Sequence, residues 1–153
     1  MQKVLFILTI TLFFSTLSAQ EFLKFEGIVT LETKGDAPQL VPELTSMLEA
    51  KGYTVFSIID HQENASTVGT ELNFSNLIIF GNPEMGSQVL AEFPLMALDL
   101  PMKFLIWTNA EGISYITYTR PSYLFRKNTG KDVPEFSAKM DEVLFGLAKE
   151  IAK

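Results

Sequence analysis

The chain has no cysteine, one histidine and one tryptophan in 153 residues. Without cysteine there are no disulfides, no thiolate nucleophile, no thiolate metal ligands and no lipid-modified N-terminal thiol. A single histidine leaves no imidazole pair for a zinc site built from protein alone, so no metal is expected. Positive charge is also short: 12 Lys and Arg stand against 18 Asp and Glu, for a net charge of −6. That balance repels phosphate backbones and anionic headgroups. The basic residues are scattered, with Arg126-Lys127 and Lys131 as the one loose cluster, so nucleic acid is not an expected partner. Neither Gly-x-x-x-x-Gly-Lys nor Gly-x-Gly-x-x-Gly occurs, and no Gly-x-Ser-x-Gly frame surrounds Ser57, Ser66 or Ser87. Phosphate-loop and serine-elbow chemistry are thereby disfavoured. No haem-attachment motif, internal repeat or low-complexity stretch is present, and no motif indicates a cofactor.

What remains is an ordinary core-forming composition, 47% apolar and 20% charged, enough for one domain. Lys3 precedes the apolar run Val4–Phe14, and Ser15-Thr16-Leu17-Ser18-Ala19-Gln20 follows. A positive start, a short apolar middle and a small-residue exit read as an export leader over 1–19, cut after Ala19, with Ser18 and Gln20 as alternative sites. The run is shorter than the roughly 20 residues that span a bilayer, so no membrane anchor is expected after cleavage. The expected destination is periplasmic or secreted. Residues 20–27 form a lead-in, and 28–153 form the domain.

Within the domain, Glu26–Thr33 reads as a strand. Asp36 and Gln39 resemble a capping box before Leu40, Leu44, Met47 and Leu48, which share a helical face closed by Gly52. The helix begins either at Ala37, with Pro42 distorting its first turn, or at Pro42 itself. Tyr53–Ile59 is a strand, Gln62–Val68 one polar helical turn, and Leu77–Phe80 a strand covered on both faces. Gly81-Asn82-Pro83 stops that strand, and a short helix runs over Gly86–Phe93 until Pro94. Lys103–Thr108 and Ile113–Thr119 form a hairpin through Asn109–Gly112. Pro121 opens a short helical segment, and Pro134 opens a final helix striped by Phe136, Met140, Val143, Leu144, Leu147 and Ile151. The order β-α-β-β-α-β-β-α predicts an α+β domain with helices packed on a mixed sheet.

Several of these segments, in order and spacing, resemble a known family. They are Gly52-Tyr-Thr-Val-Phe56, Ile59-Asp60-His61, Ala65, Gly69, Leu77-Ile-Ile-Phe-Gly-Asn-Pro83, Gly86 and Pro94…Ala97-Leu-Asp-Leu-Pro-Met-Lys103. Gly112, Tyr118 and Pro121-Ser122-Tyr123 extend the match, which covers about residues 28–150. On these residues the chain resembles the domain of unknown function 302 (DUF302). The resemblance implies a single α+β, dimer-forming domain and no established activity. Two segments depart from the family pattern. Arg126-Lys127-Asn128 stands where many members carry a histidine, and Gly86-Ser-Gln-Val-Leu90 stands for Gly-Thr-Pro-Leu-Met. A function needing a second histidine does not transfer.

The candidate site residues are Asp60, His61, Asn82 and Asp99, each near a strand end. His61 can carry a proton or ligate a metal if a carboxylate orients it; the plainer alternative is a histidine bonded to backbone at a turn. Asn82 places an amide beyond a central strand, or else it bonds the turn that Gly81 and Pro83 shape. Asp99, between Leu98 and Leu100, is a candidate acid or a carboxylate that pins its loop, with Lys103 or His61 as compensating donor. Gly81, Pro83, Gly86 and Pro101 are expected as structural turn residues. Met85, Met96 and Met102 read as core filler. The favoured expectation is a self-associating homodimer that binds a small-molecule ligand or a partner without catalysis. The alternatives are an enzyme or a haem or metal protein using His61 with Asp99, Asp60 or Asn82, and a structural or stress-related accessory domain.

Overall fold

The computed structural model describes residues 25–153, so the expected leader and its cleavage site lie outside the described residues. From there the chain runs β1 (Ile28–Glu32), α1 (Ala37–Ala50), β2 (Thr54–Asp60), α2 (His61–Ser66), β3 (Ser75–Gly81) and α3 (Pro83–Glu92). A 3₁₀ segment (Pro94–Leu98) follows, then β4 (Met102–Thr108), β5 (Ser114–Thr119), α4 (Pro121–Thr129) and α5 (Glu135–Ile151). The α+β class, the single sheet and the covering helices are as the sequence predicts. The strand directions differ: the sheet order is β1-β5-β4-β3-β2 and every pairing is antiparallel. The reason is connectivity. β2 to β5 meander between neighbours, so each reversal yields an antiparallel pair, while α1 carries the chain across the whole sheet from one edge strand to the other.

One face of the sheet is covered. Ile78, Phe80, Phe104, Ile106, Ile116 and Tyr118 pack there against Leu40, Leu44 and Leu48 of α1 and Leu144, Leu147 and Ile151 of α5. Strand periodicity places these residues on one side, and burying such side chains supplies about 1.5–3 kcal/mol each. The α5 stripe is narrower than expected. Phe136 and Val143 are exposed, and Ala148 is buried instead. The α1 helix begins at Ala37 with Pro42 inside it, and Asp36 makes no side-chain cap bond. Pro42 is the sixth residue of α1, past the four amides that are free at any helix start, so the helix forgoes the bond its amide would have made to the Pro38 carbonyl. A second, smaller core joins Met96, Leu124 and Phe125, with Val89, Leu90 and Phe93 packed around them.

Candidate functional site

A cavity of about 250 Å³ lies on the seam between the two cores. Phe80 and Met102 of the sheet, with Met140 and Leu144 of α5, form one wall; Val89 and Leu90 of α3 form the opposite one. Met96 and Leu100, from the 3₁₀ segment and the turn after it, close one side. Phe56, Met85 and Phe136 line the same cavity and are about half exposed, so its mouth is apolar too. Phe56 gets there because a bulge between Val55 and Ser57 leaves it out of the β2–β3 ladder, and an extra residue in one strand re-aims its side chain. Among the described residues no charged one lines this space. Four of the chain's six methionines do: Met85, Met96, Met102 and Met140.

The Gly81-Asn82-Pro83 segment proves to be a helix start as well as a strand stop. Asn82 caps α3, its Oδ1 accepting the Met85 N–H at 3.0 Å, and Pro83 opens the helix. Gly81 ends β3 with the Pro101 side chain close beside it. Gly86 lies inside α3 rather than at a turn. The α3 helix buries no residue completely, so it stands over the cavity as a lightly held wall.

The predicted site residues do not converge. Asp60 pairs with Asn76 while Thr54 pairs with Gly81, so His61 follows one end of β2 and Asn82 sits beside the other. At about 3.4 Å per strand residue the two are roughly 20 Å apart. His61 is the half-buried first residue of α2. Asp60 caps that helix by accepting the Glu63 N–H at 2.8 Å. This bond holds the Asp60 carboxyl below its usual pKa range, against slight desolvation and with help from Asn76 and His61.

Asp99 belongs to the Asn82 end and has other partners than expected. Its carboxylate accepts from Lys127 Nζ at 2.9 Å and Asn128 Nδ2 at 2.6 Å, both on the last turn of α4. Burial pushes its pKa up, but these donors and the lysine charges outweigh that and hold it below the aspartate range. Lys103 donates to the carbonyl oxygens of Asp99 at 2.6 Å and Pro101 at 2.8 Å, and burial lowers its pKa. The Asp99 carboxylate thus ties its turn to α4 through side-chain donors, not through backbone amides and not through the Lys103 or His61 side chains the sequence suggests. Lys127 and Asn128 belong to the stretch in which the family pattern often has histidine, and here they latch the loop beside the cavity to α4.

Of the candidate ligand residues only Asn82 lines the cavity. Beside it stand Gly81, Pro83, Gly86 and Pro101, which the sequence suggests as turn residues, and Met85, Met96 and Met102, which it suggests as core filler. The sequence marks none of the remaining lining as a site. Tyr53, Ser137 and Met140 line the cavity together. The Tyr53 hydroxyl donates to Met140 Sδ at 3.6 Å. The one available signal was the gathering of methionines near turns, which is equally the mark of core filler.

Comparisons place this geometry among known proteins. The family described as Domain of unknown function DUF302 matches residues 29–151. The crystal structure of an uncharacterized conserved protein DUF302 from Bacillus stearothermophilus superposes with a TM-score of 0.74. It covers 83% of this chain and 99% of its own at 18% identity, a likeness of fold alone. The fluoride-specific ion channel FluC 1 of Brucella suis is 29% identical over 103 residues, 67% of this chain and 41% of the relative. FluC 1 of Brucella abortus and FluC 2 of Brucella melitensis match at the same identity over 38% of their lengths. The chain thus spans about two fifths of the curated relatives it matches. Among the described residues no helix is long and apolar enough to cross a membrane.

Proposed function

The chain belongs to the DUF302 family, a membership that carries a fold and no reaction, and from that premise we propose that it is a non-catalytic module binding one small apolar molecule in the seam cavity. The carrying observation is the cavity itself: about 250 Å³, uncharged, rimmed by exposed Phe56, Met85 and Phe136. Engineered apolar cavities of about 150 Å³ take up benzene, so in proportion this one encloses about ten heavy atoms, and a longer molecule can extend into its open mouth. Methionine side chains adapt their shape to what they contact, which suits a ligand held by packing. Calorimetric titration with naphthalene tests the reading. Wild type binds it with one site per chain, and Val89→Trp, which fills the space from α3, abolishes binding. No heat of binding in wild type defeats the proposal.

Export and self-association belong to the same proposal. The leader-like composition of 1–19 supports export, and the N-terminal sequence of protein recovered outside the cytoplasm checks it. A start at or next to Gln20 is expected; a chain retaining Met1 contradicts it. Self-association through the second sheet face is supported by Leu77, Ile79, Leu105 and Trp107, which are half-buried and belong to neither core.

A second reading, an accessory domain, draws on the Brucella relatives, whose names make them fluoride channels and of which the shared stretch is about two fifths. A rise in melting temperature in sodium fluoride but not sodium chloride would favour it over the apolar-ligand module.

A further inference from the structure

Among the polar side chains that line the cavity, Asn82 accepts from the Met85 amide and Ser87 Oγ donates to the Pro83 carbonyl at 2.7 Å, so both serve α3 itself. Ser137 is different. It is only 3% exposed, yet its hydroxyl makes no hydrogen bond with any described residue. No side-chain polar atom fully sealed from its surroundings lacks a partner among the described residues. The Ser137 hydroxyl therefore reaches open space, and the space it lines is the cavity. A hydroxyl left this way forgoes the roughly 1 kcal/mol or more that a hydrogen bond returns.

Its neighbour is also under-used. Met140 lies three residues further along α5, where side chains share a face about 5–6 Å apart, and Met140 Sδ is the acceptor for the Tyr53 hydroxyl. A thioether is a weak acceptor, so Tyr53 gains by turning to a better one. Burial raises the Tyr53 pKa, which keeps the phenol a neutral donor. Two hydroxyl donors thus stand at one side of an uncharged, apolar space.

We propose that the ligand is a neutral molecule with an apolar body and a single hydrogen-bond-accepting oxygen, such as a ketone, aldehyde or ester, gripped by Ser137 and Tyr53. This deepens the apolar-ligand reading and rests on it. A carboxylate or phosphate is excluded by the lining, which has no cation to offset the desolvation of an anion. A pure hydrocarbon binds, but leaves the two hydroxyls unsatisfied.

Calorimetry with three probes on one ring system tests this: naphthalene, 2-acetylnaphthalene and 2-naphthoate at neutral pH. The expected order has 2-acetylnaphthalene at least threefold tighter than naphthalene, and 2-naphthoate at least tenfold weaker than the ketone. Ser137→Ala and Tyr53→Phe each reduce 2-acetylnaphthalene affinity three- to tenfold and do not weaken naphthalene, which loses an unsatisfied hydroxyl from its surroundings. Circular dichroism and melting temperature report that the variants are folded. Equal affinity for ketone and hydrocarbon, equal affinity for the acid, or no response of the ketone to either substitution overturns the polar-head proposal while the apolar cavity stands. Failure of all three probes to bind wild type overturns both.

Discussion

At the scale of single residues, the polar groups near the cavity divide into those that build it and those left for a ligand. Asn82 is a builder: its oxygen starts α3, and α3 supplies one cavity wall. Asn82→Ala should cost about 1 kcal/mol of stability in urea unfolding, the usual loss for an N-cap, and should weaken naphthalene binding as well. Asp60→Ala, which removes the corresponding cap of α2, should leave naphthalene binding untouched. Equal effects of the two substitutions on binding would detach α3 from the site. These roles were half legible in the sequence. Asp60, Asn82 and Asp99 do sit where elements begin or end, because short polar side chains there satisfy free backbone or neighbouring groups. Their common location was not legible. Which end of the sheet a residue occupies depends on strand direction, and nothing local to His61 or Asn82 states it.

At the scale of elements, the turn between the 3₁₀ segment and β4 is tied to the end of α4 by Asp99, Lys127 and Asn128, with Lys103 holding two carbonyls of the turn. Lys127 is half exposed, so solvent limits the ion pair to about 1 kcal/mol or less. Its pH dependence has a definite sign. The Asp99 carboxyl titrates lower in the folded chain than in the unfolded one. The stability it adds is therefore full above the unfolded value of about 4 and disappears as pH falls through the folded value. Asp99→Asn should lower stability near neutrality and flatten the acid limb of the stability curve below about pH 4, as measured by thermal melts across pH. An unchanged acid limb would assign the latch to other groups. A further tie escaped the sequence entirely. Asp141 of α5 accepts the Ser122 amide at 2.9 Å and the Ser122 hydroxyl, capping α4 from another helix. Caps supplied from 19 residues away leave no spacing to read, whereas Pro121 and Pro134 announced their helices because proline suits a helix start.

At the scale of the whole molecule, the antiparallel meander leaves α1 and α5 on one sheet face, and Leu77, Ile79, Leu105 and Trp107 in neither core. Hydrophobic patterning revealed the class but not the covered face. Leu77–Phe80 is a continuous apolar run that reads as covered on both sides, whereas burial alternates along β3, with Ile78 and Phe80 in the core and Leu77 and Ile79 outside it. It could not reveal that α1 crosses the full sheet, because a mixed sheet demands the same pattern. If the second face pairs with its own copy, light scattering should report a dimer, and Leu105→Lys, which places a charge at its centre, should yield monomer with little change in melting temperature. A wild-type monomer at high concentration would contradict self-association. The cavity, by contrast, is complete within one chain, so its occupancy should not depend on the dimer.

The central claim, that a small apolar molecule enters the seam between the two cores, is tested most directly by methionine-methyl NMR during naphthalene titration. Met85, Met96, Met102 and Met140 line the cavity, whereas Met47 packs in the main core from α1. Saturable ring-current shifts should appear at the first four methyls, with Met47 stationary. A spectrum in which none of the four moves, or in which Met47 moves as far as they do, would contradict the account.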